Sequence, residues 1–251
     1  MPKIWLGDSE LYYEESGSGP PLLLLHGGLG TAMLHFWREI EFFSHSYHVI
    51  APDLRGYGRS SPPRVFGPDF YFRDADDIAH LIEQLGLAPV HLAGWSDGGI
   101  AGLIVAVRHP ELLRSLAVWG AQARLTPEER EHWNSLIDTT TWSEGAKRRF
   151  IEAQGPRNWP EILQRMLKGY HAFYNAGQGE IVSRHLGEIA LPVLILHGAL
   201  DPVVPVLHAY EMKASIPNAK LRIFESAGHA LHRESEVELR EELLRFLAGS
   251  T

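Results

Sequence analysis

The sequence predicts an α/β fold in which a mostly parallel, eight-stranded sheet is covered by helices on both faces and carries an inserted helical cap. Three observations predict it. Apolar strand-like runs alternate with helix-period segments along most of the chain, the pattern of parallel strands joined by crossover helices. Residues 125–191 break that alternation and offer helical pieces only. Residues Ala93-Gly94-Trp95-Ser96-Asp97-Gly98-Gly99-Ile100 place a serine between the apolar run Val90-His91-Leu92 and a helix.

In chain order, strands are expected near 3–7, 10–16, 21–26, 47–53, 89–95, 113–119, 192–197 and 219–225. Helices are expected at 33–44, 74–86, 98–109, 204–215 and 235–248, where apolar residues recur at helical spacing. These elements assign 1–124 and 192–251 to one core and 125–191 to a cap, with helical pieces at 127–137, 143–153 and 159–175. The cap is rich in aromatics: Trp133, Trp142, Phe150, Trp159, Tyr170, Phe173 and Tyr174. Each of these can serve simply to pack short helices together, or to line a pocket above the sheet edge.

Composition narrows the function classes. A chain of 251 residues with 45% hydrophobic content can bury a full core. Its formal charge of −8, without a Lys/Arg cluster, argues against a nucleic-acid partner and suits a small neutral or cationic substrate. No apolar stretch has the length of a signal peptide or a membrane span, so a cytoplasmic protein with no membrane partner is expected. With no cysteine, thiol nucleophiles, disulfides and zinc-thiolate sites are excluded. The local pairs His45/His48 and His229/His232 lack a carboxylate at metal-ligand spacing, so neither a metal nor a cofactor is expected.

The chemistry concentrates at Ser96. Gly94 and Gly98 remove side chains that would collide in a sharp strand-to-helix turn, leaving the hydroxyl exposed as in a nucleophile elbow. A serine hydroxyl needs a base, and the base needs an orienting acid. His229, in the loop after the strand-like run Leu221-Arg222-Ile223-Phe224, is the expected base, with His232 its nearest competitor. Asp201, in the loop after Leu194-Ile195-Leu196-His197, is the expected acid. Val118-Trp119-Gly120-Ala121-Gln122-Ala123, one strand earlier, offers no carboxylate. The oxyanion donors expected are the backbone N–H groups of Asp97 and of Gly28 in the loop His26-Gly27-Gly28-Leu29-Gly30, each contributing roughly 3–4 kcal/mol to the transition state. His26 is read as a brace for that loop. A phosphate-cradling reading of the same glycines lacks the G-K-[ST] ending.

The order Ser96, Asp201, His229 is that of the α/β-hydrolase superfamily, which the chain resembles over essentially its whole length. The resemblance rests on His26-Gly27-Gly28, Pro52 to Ser60, Gly94 to Gly99, Gly198 to Asp201 and Gly228-His229. Within that superfamily the chain is most similar to the valacyclovir hydrolase-like enzymes, through Gly94 to Ile100, Trp119-Gly120-Ala121, Trp142-Ser143-Glu144, Arg184-His185-Leu186, Asp201-Pro202 and Val204-Pro205. This resemblance implies hydrolysis of α-amino-acid esters, with Asp97 binding the substrate ammonium.

Asp97 is notable on physical grounds as well. A bare carboxylate ~5 Å from a forming oxyanion would oppose it by roughly 3 kcal/mol at an effective dielectric near 20, so a cation should offset it. The alternative is a first-turn aspartate favoured by the helix dipole, paired to an arginine or turned outward. Leu29, Trp95 and Trp159 are expected to line the substrate pocket with Asp97. The expected reaction is hydrolysis of a small-molecule ester through an acyl-Ser96 enzyme. A general short-chain carboxylesterase, a lactonase or a carbon-carbon bond hydrolase would use the same residues with Asp97 a bystander, and the scaffold can also serve a noncatalytic binding module.

Overall fold

A computed structural model describes residues 2–136, 138–145, 147–148, 151 and 159–250, without the side chains of 132, 134–136, 141 and 159. Eight strands form one sheet: β1 (Lys3–Trp5), β2 (Glu10–Ser16), β3 (Pro21–Leu25), β4 (His48–Pro52), β5 (Val90–Trp95), β6 (Leu113–Trp119), β7 (Val193–Gly198) and β8 (Ala219–Phe224). Their order is β1-β2-β4-β3-β5-β6-β7-β8. β2 pairs antiparallel with β1 and β4, and every pairing from β4 to β8 is parallel.

The central strands are apolar on both faces because both faces are covered. Successive side chains of a strand point to opposite sides, and the core divides accordingly. Leu23, Leu25, Leu92, Leu116, Val118 and Ile195 belong to one cluster, with helices α2 (Phe70–Gln84) and α3 (Asp97–Arg108). Leu22, Leu24, Ala93, Ala117, Trp119 and Leu196 belong to the other, with Phe36 and Phe43 of α1 (Ala32–Phe43).

Between β6 and β7 the chain inserts α4 (Pro127–Leu136), a 3-10 turn (Thr139–Thr141), α5 (Trp159–Gly177) and a second 3-10 segment (Ser183–Glu188). Of the helical piece expected at 143–153, residues 144–145, 147–148 and 151 are helical, while 146, 149–150 and 152–153 lie outside the described residues. After β7 come α6 (Leu207–Ser215), a single turn α7 (Leu231–Glu234) and α8 (Glu236–Ala248). α8 packs Leu239, Leu243 and Phe246 beside α1.

Two helix starts differ from expectation by three or more residues. α2 starts at Phe70, four residues before the expected 74, because Phe70 and Tyr71 are buried with ring centroids 4.0 Å apart and extend the helix under α5. α6 starts at Leu207 and not at 204. The backbone N–H groups of Val203 and Val204 both donate to Asp201 Oδ1, at 2.8 and 2.9 Å, which holds that segment as a turn.

Candidate active site

Ser96 lies between the end of β5 and the first residue of α3, with φ 54° and ψ −123°. That backbone conformation is sparsely populated for any residue but glycine and costs on the order of 1–3 kcal/mol. It is held by its surroundings: Ser96 N–H donates to Trp119 O at 3.0 Å, and Ile100 N–H donates to Ser96 O at 2.9 Å. A Cβ on Gly98 would stand 2.1 Å from Leu25 O, and one on Gly94 would stand 2.5 Å from Gly98 O. The helix can therefore start tightly against β3 and β5 only with glycine at both places.

The loops after β7 and β8 bring the other two residues to this turn. A Cβ on Gly198 would lie 2.2 Å from Gly228 O, so the two loops meet backbone to backbone. His229 Nδ1 is 2.7 Å from Asp201 Oδ2, and His229 Nε2 is 3.2 Å from Ser96 Oγ. A carboxylate can only accept, so Nδ1 carries the hydrogen and Nε2 keeps its lone pair for the serine hydroxyl. Burial pushes the buried Asp201 carboxyl upward. The bond from His229 and the N–H groups of Val203 and Val204 outweigh it and hold Asp201 below the usual carboxylate range. Trp95 steadies the base from below, its Nε1–H donating to His229 O at 2.8 Å.

His232 makes no hydrogen bond to Ser96 or Asp201. It is buried against Trp95, with ring centroids 4.4 Å apart, and its Nδ1 accepts from Trp119 Nε1 at 3.4 Å. Desolvation lowers its pKa to about 3. His26 braces the loop after β3: Nδ1 donates to Gly27 O at 2.7 Å, and Nε2 accepts from Leu54 N–H at 2.9 Å. Among the described residues no group of three or more His, Asp or Glu side chains could hold a metal ion.

Asp97 is 4% exposed and is neither paired directly to an arginine nor turned outward. Tyr71 of α2 donates its hydroxyl to Oδ1 at 3.1 Å, and Tyr170 of α5 donates to Oδ1 and Oδ2 at 3.0 and 2.9 Å. Burial raises the pKa of Asp97, against the opposing effects of Tyr170 and of Arg64, which is itself ion-paired with Asp74. A Cβ on Gly28 would lie 2.7 Å from Asp97 Oδ2, so the carboxylate rests on the loop after β3.

Two cavities meet at Ser96. The larger, about 220 Å³, is lined by Gly28, Leu29, Trp95, Trp142, Met166 and His229 among others. The smaller, about 40 Å³, is bordered by Asp97, Gly120, Gln122, Glu129, Tyr170 and Val204 among others. Leu29 and Trp95, both expected at the substrate pocket, line the larger cavity. Trp159 opens α5, but its side chain lies outside the described residues. Trp142, one of the cap aromatics expected to pack helices or line a pocket, borders the larger cavity; Tyr71, Gln122 and Glu129 border the smaller one, and no local pattern distinguishes these three from other core or surface residues.

Fold and site together define the class: a serine hydrolase on the α/β-hydrolase scaffold. The chain belongs to the alpha/beta hydrolase family, whose family model matches residues 22–242. It is 33% identical to the human protein Serine hydrolase BPHL over 233 residues, which are 92% of this chain and 80% of that one. It is 27% identical over 241 residues to 3-oxoadipate enol-lactonase 2 of Acinetobacter baylyi, spanning 88% of this chain and 86% of the relative. The meta-cleavage product hydrolase of Pseudomonas fluorescens has the same fold, with a TM-score of 0.81, 23% identity, and coverage of 100% of this chain and 98% of that one. Among the described residues, no helix is long and apolar enough to cross a membrane.

Proposed function

We propose that this protein hydrolyses carboxylic esters of α-amino acids through an acyl-enzyme on Ser96. The observation that carries the reading is His229 standing between its two partners, Nε2 3.2 Å from Ser96 Oγ and Nδ1 2.7 Å from Asp201 Oδ2. In acylation the Oγ–H proton passes to His229 Nε2 as Oγ bonds to the ester carbonyl carbon. The backbone N–H groups of Gly28 and Asp97 receive the oxyanion. Collapse breaks the ester C–O bond, and the proton on His229 goes to the departing alcohol. A water molecule then attacks the acyl carbon and gives a proton to His229; the bond from that carbon to Ser96 Oγ breaks, His229 returns the proton to Oγ, and the carboxylic acid leaves.

The substrate class follows from Asp97 beside this oxyanion position. A carboxylate offers about four lone-pair sites, and the Tyr71 and Tyr170 bonds leave room for a substrate ammonium from the smaller cavity. The resemblance to Serine hydrolase BPHL supports the same reading. Residues 125–191 act in it as a cap over a core of 1–124 and 192–251, with Tyr170 reaching from the insert to Asp97. Leu29, Trp95 and Trp159 take part in the substrate pocket.

A specific observation favours one other reading. Tyr71 and Tyr170 give Asp97 internal donors, as a general carboxylesterase or lactonase with a purely positioning aspartate would. Mass spectrometry of the acid-quenched enzyme separates the two. With an amino-acid ester, the peptide containing Ser96 should gain the aminoacyl mass faster than it gains the acyl mass from the des-amino analogue, and Ser96→Ala should gain neither. Equal rates favour the positioning reading, and turnover retained by Ser96→Ala overturns both.

A further inference from the structure

A second histidine, which takes no part in the acylation steps, stands behind Asp201. His197, near the end of β7, is fully buried at a place where the preceding run Val193-Leu194-Ile195-Leu196 is apolar. Its Nε2 lies 2.9 Å from Val204 O, and a carbonyl can only accept, so Nε2 carries the hydrogen. Burial lowers the pKa of His197, so at neutral pH the ring is uncharged and Nδ1 has no hydrogen. Among the described residues that Nδ1 has no hydrogen-bond partner. An unpaired buried acceptor costs about 1–3 kcal/mol, which a leucine at this place would avoid. A polar group left unsatisfied in a native interior calls for a reason, and the reason lies at the other ring nitrogen.

The same Nε2 stands 3.5 Å from Asp201 Oδ2, with both side chains closed off from solvent. Val204, whose carbonyl receives His197, donates its own N–H to Asp201 Oδ1 at 2.9 Å, beside Val203 N–H at 2.8 Å. His197 therefore holds the 201–204 turn from the strand, and that turn holds the carboxylate. Oδ2 is left to receive His229 Nδ1–H at 2.7 Å, with His197 Nε2 facing the same oxygen. Without His197, Val204 O loses its side-chain donor, and the turn is free to carry the carboxylate away from His229. Misplacing a reacting geometry by ~1 Å can cost on the order of 10²-fold in rate, so small shifts matter here. We infer that His197 is a positioning residue for Asp201: its Nε2–H, bound to Val204 O beside Asp201 Oδ2, fixes the turn that aims the carboxylate at His229. This inference rests on the reading of Ser96, His229 and Asp201 as a unit and extends it by one residue. It is independent of the role of Asp97.

The test is the rate at which a fluorophosphonate labels Ser96, a reaction in which Oγ displaces fluoride from phosphorus. It needs Ser96, His229 and Asp201 but neither an ester nor an ammonium. His197→Gln keeps an N–H near the position of Nε2, whereas His197→Leu and His197→Met fill the space without a donor. Labelling should slow by about tenfold or more in the two donorless variants and stay within about threefold of wild type in His197→Gln. Melting curves identify the variants that are folded at the assay temperature. In an Asp201→Asn background the donorless substitutions should cost almost nothing further, because residues that act as a unit are not additive. A merely structural residue would cost the same with and without Asp201. An unchanged rate in the folded donorless variants, an equal loss in His197→Gln, or a full additional loss in Asp201→Asn overturns the inference. Failure of the wild type to label at Ser96 would contradict the reading of Ser96, His229 and Asp201 itself, and this inference with it.

Discussion

The hydroxyl of Tyr170 donates to both carboxylate oxygens of Asp97, at 3.0 and 2.9 Å, and so joins the segment inserted between β6 and β7 to the residue that follows the nucleophile. Hydrogen bonds to a charged group typically contribute about 1.5–3 kcal/mol. Tyr170→Phe should therefore lower the unfolding free energy by about that amount. It should also reduce kcat/KM for an amino-acid ester more than for its des-amino analogue, because Asp97 loses the contact that orients it. Chemical denaturation and paired kinetics measure the two effects, and an equal loss on both esters would break the link from Tyr170 to substrate recognition.

Asp97 and Asp201 respond to acid in opposite senses. Burial raises the pKa of Asp97 in the folded state, so its ionised form opposes folding, and that penalty is relieved as pH falls through its folded pKa. For Asp201, the bond from His229 and two backbone N–H donors outweigh burial and lower the pKa. Its contribution is fully present above the unfolded value of about 3.9 and is lost as pH falls through the folded one. Asp97→Asn should consequently melt above wild type at pH 7, by roughly 2–4 °C per kcal/mol, with the gain shrinking in acid. Asp201→Asn should melt below wild type at pH 7, with the deficit shrinking in acid. Thermal melts from pH 3 to pH 8 distinguish these opposite slopes from parallel ones.

Backbone strain at Ser96 separates stability from activity. With φ at 54° the position suits glycine, so Ser96→Gly should be more stable than Ser96→Ala by on the order of 1 kcal/mol, while both lack turnover. Denaturant midpoints of the two variants check this. Equal midpoints would mean the turn is not strained.

Gly28→Ala should disable the site without unfolding it. The added Cβ would sit 2.7 Å from Asp97 Oδ2 and 3.3 Å from Met166 Sδ, displacing the carboxylate and the loop proposed to supply an oxyanion donor. Loss of one such donor costs roughly 3–4 kcal/mol, so kcat should fall by about two to three orders of magnitude. A variant with unchanged kcat would exclude Gly28 from the oxyanion position.

Much of this was legible because buried parallel strands and tight turns leave strong local signals. All eight expected strands occur, with ends shifted by at most two residues, since each central run is apolar on both faces. The elbow was legible through the spacing of Gly94, Ser96 and Gly98. Asp201 and His229 could be selected because each follows a strand end, which is where a parallel sheet gathers its loops. Asp97's surroundings were not legible. Tyr71 and Tyr170 lie 26 and 73 residues from it in sequence; Tyr71 falls before the helix expected at 74–86, and Tyr170 reads as one more aromatic of the cap.

The central claim, that Asp97 beside Ser96 selects esters bearing an α-ammonium, is tested most directly by one kinetic comparison. kcat/KM is measured for an α-amino-acid ester and its des-amino analogue with wild type and Asp97→Ala. Wild type should prefer the amino ester by at least about tenfold, and Asp97→Ala should lose that preference chiefly by losing activity on the amino ester. Equal rates on the two esters in wild type, or a preference that survives in Asp97→Ala, would contradict it.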